Sequence, residues 1–164
     1  MVKTASDHGY PMRILQAVEA VNESQKSILF RKLEHYFQGD LKGKRIAVWG
    51  LAFKPETDDM REAPSLVVIQ KLIESGCQVT AYDPIAIPES RRRIGDAVRY
   101  AKDIYDAVVD ADALLLVTEW KEFRMPSWAA IKKLMANPLV VDGRNIYDPK
   151  EMEEYGFEYH CIGR

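Results

Sequence analysis

Apolar residues recur at three- and four-residue steps through the first quarter of the chain: Ile14, Leu15, Val18, Val21, Ile28, Leu29, Leu33, Tyr36 and Phe37. Glu19, Asn22, Glu23, Lys26, Arg31, Lys32 and Glu34 fill the other face, so the spacing predicts a single amphipathic helix. Pro11 suits its first turn, where a missing N–H costs nothing, and Gly39 suits its stop, because glycine enters the left-handed cap cheaply. About 27 residues at about 1.5 Å each give a helix near 40 Å long, more than the diameter of a small domain. A helix of that length is expected to tie two domains together or to form an oligomer interface.

After Gly43 the pattern changes. Residues 45–49 (R-I-A-V-W) form a short β-rich run, and residues 64–74 return to helical spacing before Gly76. Residues 77–82 read as a second strand, 88–94 as a short helix, 98–101 as an extended piece and 103–109 as a helix. Residues 113–118 (A-L-L-L-V-T) are a fully buried strand, followed by a helix at 127–135 and strands at 139–141 and 157–162. Strands that are apolar throughout, alternating with helices, indicate a parallel sheet covered on both faces. The expected fold is α/β, a Rossmann-like doubly wound and mainly parallel sheet preceded by the long helix. The expected division is 1–39 for the helix region and 40–164 for the sheet domain.

A chain of 164 residues supports one core and is too short for two ordinary domains. Hydrophobic residues at 47% and charged residues at 29% are those of a soluble globular protein. The net charge of -2, from 23 basic and 25 acidic side chains, gives no support to nucleic-acid or membrane-surface binding. The basic run Arg91-Arg92-Arg93 reads as a solvated helix face. Cys77 and Cys161 read as core thiols in a reducing compartment. His8, His35, His160 and the cysteines have no metal-ligand spacing, so no metal is expected. No signal peptide or membrane span is legible, and the protein is expected to be cytoplasmic.

In open parallel sheets a ligand lies beyond the carboxyl ends of the strands. Four such ends carry polar or unusual residues: 50–55, 82–84, 118–121 and 142–145. The first loop has Gly50 but not the three glycines of a dinucleotide fingerprint, although Asp83 stands where a ribose-binding carboxylate would. Lys54 and Arg144 are the candidate phosphate-binding cations; the alternative is that they balance Asp58, Asp59 or Asp142 at the surface. Asp58 and Asp59 precede a helix, whose positive dipole end carboxylates would complement. Trp120 and Trp128 read as packing residues. No Ser-His-Asp, Cys-His or P-loop arrangement is present.

Taken together, R-I-A-V-W-G-L-A-F-K-P at 45–55, T-D-D-M-R-E-A-P-S at 57–65, A-Y-D-P at 81–84, T-E-W at 118–120, D-G-R-N at 142–145 and the closing I-G-R at 162–164 resemble the C-terminal domain of the UDP-glucose/GDP-mannose dehydrogenases. The opening, through Tyr10-Pro11 to Val21-Asn22-Glu23, resembles that family's long inter-domain helix. The resemblance covers essentially the whole chain. It implies a longer enzyme with an N-terminal NAD-binding Rossmann domain and a catalytic cysteine, which oxidises the sugar C6 alcohol in two NAD-dependent steps. Neither Cys77 nor Cys161 matches that cysteine, so no catalytic residue is expected in this chain, which should bind but not turn over. By the same resemblance Phe53 and Lys54 line the sugar-nucleotide pocket, Arg144 contacts substrate, and Arg61 reaches towards NAD. A homodimer through the long helix is implied as well.

Within the family, D-G-R-N and the T-D-D loop lean towards UDP-glucose as substrate, with UDP-N-acetylmannosamine and GDP-mannose as alternatives. Two readings from other classes are a non-enzymatic Rossmann-like nucleotide-binding module and a scaffold built on the helix. The first would call for a glycine-rich first loop, and the second would have no use for strand-end cations.

Overall fold

The computed structural model describes residues 12–163; Pro11, His8, Tyr10 and Arg164, to which the sequence assigned roles, lie outside them. Six strands form one sheet: β1 (Arg45–Trp49), β2 (Gln78–Tyr82), β3 (Arg99–Tyr100), β4 (Ala113–Leu116), β5 (Leu139–Asp142) and β6 (Glu158–Cys161). Their order is β3-β2-β1-β4-β5-β6 and every pairing is parallel. This is the doubly wound order, whose direction reverses between β1 and β4.

The alternation of side chains along each strand divides the core in two. Val48 and Leu115 face one layer, with Leu33 and Leu72; Trp49, Leu114 and Leu116 face the other, with Phe123 and Ile131. Both faces of the central strands are therefore apolar, which is why β4 reads A-L-L-L with all four residues buried.

The helices on the first face include α2 (Ile28–Tyr36) and α3 (Pro64–Glu74), which bury Leu29, Phe30 and Leu33 and Val68, Ile69 and Leu72 respectively. α4 (Ile87–Ile94) packs on the same face through Ile87 and Ile94, and the second face carries α5 (Ile104–Ala107), a 3-10 turn (Lys121–Phe123), α6 (Trp128–Leu134) and α7 (Pro149–Glu154). The last was not expected from the sequence, yet its start signal is conventional. Asp148 accepts hydrogen bonds from the Lys150 and Glu151 amides, with Pro149 in the first turn.

The expected single long helix is broken. The first segment, α1 (Arg13–Lys26), ends at Ser27, whose φ of -100° and ψ of 2° leave the helical well. Ser27 Oγ donates to the Ser24 carbonyl at 3.1 Å, and Arg31 donates to the same carbonyl at 3.0 Å. Side chains that claim backbone carbonyls compete with the helical ladder and bend it. Beyond the break α2 packs on the sheet, whereas α1 buries none of its residues and leaves Ile14, Val18 and Val21 exposed.

No helix among the described residues is long and apolar enough to cross a membrane. The arginine run lies on α4, where Arg92 and Arg93 pair with Glu89 and Arg91 with Asp96 at the surface.

Candidate functional site

The loop after β1 is held from beneath. Gly50 has a φ of +88°, and a Cβ there would stand 2.5 Å from the backbone N and O of Thr118, so only glycine lets this turn lie against the end of β4. Leu51, Ala52, Met60 and Ala63 are buried. Ser65 donates to the Leu51 carbonyl and Thr118 to that of Ala52.

Two buried aspartates organise the remaining strand ends. Asp83, 1% exposed, accepts the amides of Leu51 (2.7 Å) and Ala52 (3.1 Å) and the Trp120 indole (3.1 Å) on Oδ2, and those of Ile85 and Ala86 on Oδ1. Its acceptor capacity is spent within the protein, so it is a brace and not the ribose-binding group its position suggested. Asp142, fully buried, does the same after β5. Oδ1 takes the amides of Arg144 (2.7 Å) and Asn145 (2.8 Å), and Oδ2 takes Ile146, Tyr147 and the Tyr159 hydroxyl. A carboxylate that accepts this many donors offsets its desolvation by fixing several backbone segments at once.

Above these braces opens a cleft of about 530 Å³ at the carboxyl edge of the sheet. The loops after β1, β4, β5 and β6 contribute Phe53, Val117, Gly143 with Arg144, and Ile162; Ile28 and Leu29 of α2 and the polar face of α1 close the other side. Phe53 is 52% exposed, unusual for an aromatic residue beside a core. Gly143 is required for the approach: a Cβ would lie 2.8 Å from both the Leu116 carbonyl oxygen and Leu29 Cδ1. Asn145 pins the neighbouring tail, exchanging 2.9 Å hydrogen bonds with both the N–H and the C=O of Ile162.

The two cations of the cleft are both partnered. Arg144 grips Glu119 with Nε to Oε2 and with Nη2 to Oε1 at 2.9 Å. The hydrogen bond to Glu119 raises the Arg144 pKa; burial pushes the Glu119 carboxyl up, but the bond and charge of Arg144 bring it below the usual range. The pair is therefore ionised. Lys26, at the end of α1, lies between Glu23 (2.7 Å) and Glu62 (2.6 Å), whose hydrogen bonds raise its pKa. The Glu62 contact ties α1 to the segment that leads into α3.

Of the residues singled out in the sequence, Phe53 and Arg144 line this cleft together. Lys54 is exposed beside Phe53, does not line the cleft, and has no ion pair among the described residues. Arg61 lies in a separate hollow with Glu89 and Arg93. Its guanidinium donates to Asp59 at 3.0 and 2.9 Å, and those bonds, with one from the Arg61 amide, lower the Asp59 pKa to about 2. Asp59 thus serves Arg61 and not the helix dipole, since the first turn of α3 carries no acidic residue. The surface partner of Arg144 is Glu119 and none of the three aspartates considered; Asp142 binds only its backbone amide. Trp120 and Trp128 are buried packing residues as expected. Lys26 and Glu119 were missed, the first because it sits on the polar face of an ordinary helical pattern, the second because its partner is 25 positions away.

Comparison with known proteins follows the same lines. Residues 47–149 match the model of the UDP-glucose/GDP-mannose dehydrogenase family, UDP binding domain. The chain is 49% identical to UDP-glucose 6-dehydrogenase of Pseudomonas aeruginosa and 44% identical to that of Rhizobium meliloti, in each case over 100% of this chain and 37% of the relative. It also superposes on a UDP-glucose dehydrogenase from Pyrobaculum islandicum with a TM-score of 0.81 at 31% identity, covering 97% of this chain and 34% of that one. The chain thus spans little more than a third of the length of the proteins it matches.

Proposed function

Since the chain belongs to the UDP-glucose/GDP-mannose dehydrogenase family, we propose that it binds the UDP end of UDP-glucose within an NAD-dependent UDP-glucose 6-dehydrogenase. The observation that carries this reading is the sharing of one cleft by Phe53 and Arg144 at the carboxyl edge of the sheet. Phe53 offers an exposed ring on which a pyrimidine can stack, and Arg144 offers a guanidinium to the diphosphate. Holding the nucleotide end spends remote binding energy on placing the sugar, which is how a domain without a nucleophile contributes to rate. Lys54 adds mobile positive charge at the rim.

NAD does not fit the β1 loop of this chain: the Leu51 and Ala52 amides, which would have to face a pyrophosphate, are turned inward to Asp83. When bound to the rest of a longer protein it would accept hydride from the sugar, and Arg61, outside the cleft, is the residue of this chain offered to it. No residue here is assigned a catalytic role. In this reading residues 1–39 join the domain to its other half, with α2 among them already packed on the sheet, and residues 40–164 form the body of the UDP-sugar-binding domain. The exposed Ile14, Val18 and Val21 form a homodimer contact, and the protein works in the cytoplasm.

The test is an NMR titration of the chain with UDP, GDP and NAD separately. Shifts with UDP centred on Phe53 and Arg144 are expected. A preference for GDP would redirect the substrate to GDP-mannose, and shifts confined to other surfaces would overturn the assignment of the cleft.

A further inference from the structure

The pairing of Arg144 with Glu119 is side-on. It consumes Nε–H and one Nη2–H, so both Nη1–H groups and the second Nη2–H have no partner among the described residues; that Nη2–H and one Nη1–H form the end-on edge of the fork. The two residues also stand in different places. Arg144 lines the main cleft, whereas Glu119 lines a neighbouring hollow of about 460 Å³ with Pro55, Pro84 and Trp120. The carboxylate therefore holds the guanidinium from outside the cleft.

Both ends of the pair are mounted on buried anchors. Glu119 lies between Thr118, whose hydroxyl donates to the Ala52 carbonyl, and Trp120, whose indole donates to Asp83. Arg144 has its amide on Asp142. A free arginine spreads over many rotamers, and ordering it on binding costs affinity. Here that cost is met before any ligand arrives.

We infer that Glu119 is a positioning residue for nucleotide binding: it fixes the Arg144 guanidinium with its unused end-on edge turned to the cleft, set to receive a diphosphate oxygen pair. This rests on the proposed UDP site, and it assigns Glu119 a part in phosphate recognition although it never touches the ligand. The opposing view is that Glu119 occupies the phosphate position and must be expelled. That view predicts the opposite sign on its removal.

Binding of UDP and of uridine to wild type, Glu119→Gln, Arg144→Ala and the double variant decides between them. Glu119→Gln keeps the size of the side chain and weakens UDP about tenfold, the worth of one charge-assisted hydrogen bond, while uridine, which has no phosphate, binds as before. Adding Glu119→Gln to Arg144→Ala changes nothing further. Unchanged or tighter UDP binding by Glu119→Gln, or an equal loss of uridine, overturns the inference. A second readout needs no ligand: the Arg144 Nε–H resonance should exchange slowly with water in wild type and rapidly in Glu119→Gln. Rapid exchange in wild type would sink the positioning role. Failure of wild type to bind UDP would instead count against the UDP site itself, with the Nε–H measurement still deciding whether Glu119 holds Arg144.

Discussion

The indole of Trp120 donates to Oδ2 of Asp83 at 3.1 Å, joining the loop after β4 to the end of β2 across the intervening strand β1. The same oxygen takes the amides of Leu51 and Ala52, so one buried carboxylate gathers three strand ends below the cleft. Asp83→Ala should lower the free energy of unfolding by about 3 kcal/mol, because several buried donors lose a charged acceptor together. Urea denaturation monitored by tryptophan fluorescence would show it. A loss below about 1 kcal/mol, the scale of a single neutral hydrogen bond, would mean that the brace is dispensable.

Gly50→Ala should destabilise the fold by at least about 2 kcal/mol, combining an unfavourable left-handed conformation with a backbone clash. Thr118, 2.5 Å from the added Cβ, cannot withdraw without leaving Ala52. Thermal unfolding measures this, and a variant as stable as wild type would place the loop differently from the structure described.

Arg144→Ala should weaken UDP by tenfold or more, on the scale of about 1.5–3 kcal/mol for hydrogen bonds to charged groups. Lys54→Ala should have the smaller effect, since that side chain stands outside the cleft. Calorimetry on both variants tests the ranking, and equal losses would show that Lys54 swings inward on binding.

The exposed Asp59–Arg61 pair makes a pH prediction of definite sign. The hydrogen bond from Arg61 depresses the Asp59 pKa from the ordinary 3.8 to about 2 in the folded chain. The contribution of the pair is present above the unfolded value, and it is lost as pH falls through the folded one. Carbon-detected NMR titration should give Asp59 a midpoint near 2 in wild type and a higher one in Arg61→Ala, which loses the guanidinium but keeps the backbone amide bond to Asp59. An unchanged midpoint in the variant would remove the Arg61 side chain as the cause.

Cys77 should resist alkylation in the native chain. Burial pushes its thiol up to about 11, and its Sγ donates to the Leu41 carbonyl at 3.3 Å, so little thiolate exists at pH 8. Mass spectrometry after iodoacetamide treatment, with and without denaturant, would detect the difference; rapid native labelling would contradict it.

The sheet was legible in the sequence because its signal is local. Four consecutive apolar residues in β4 can be buried only by cover on both faces, and Pro64 and Gly76 punctuate α3 in plain view. The break at Ser27 was not legible, since Ser24 and Ser27 fall at polar positions of an unbroken helical pattern and the competing hydrogen bonds become visible only in three dimensions. Phe53 and Arg144, which line one cleft, were singled out as strand-end residues and by resemblance. The jobs of Asp83 and Glu119 depend on donors from distant segments, which no spacing rule encodes.

The braces below the cleft and the residues that face into it are different residues. Asp83 and Asp142 spend their carboxylates on amides, a hydroxyl and an indole, whereas Phe53, Arg144 and Ile162 stand on the open side with little role in holding the sheet. Changes on the open side can thus accumulate without threatening the architecture, while changes underneath are purged whatever the ligand. Such a layout lets a lineage explore new ligands at small risk, and it tells a protein engineer which layer to randomise and which to leave alone.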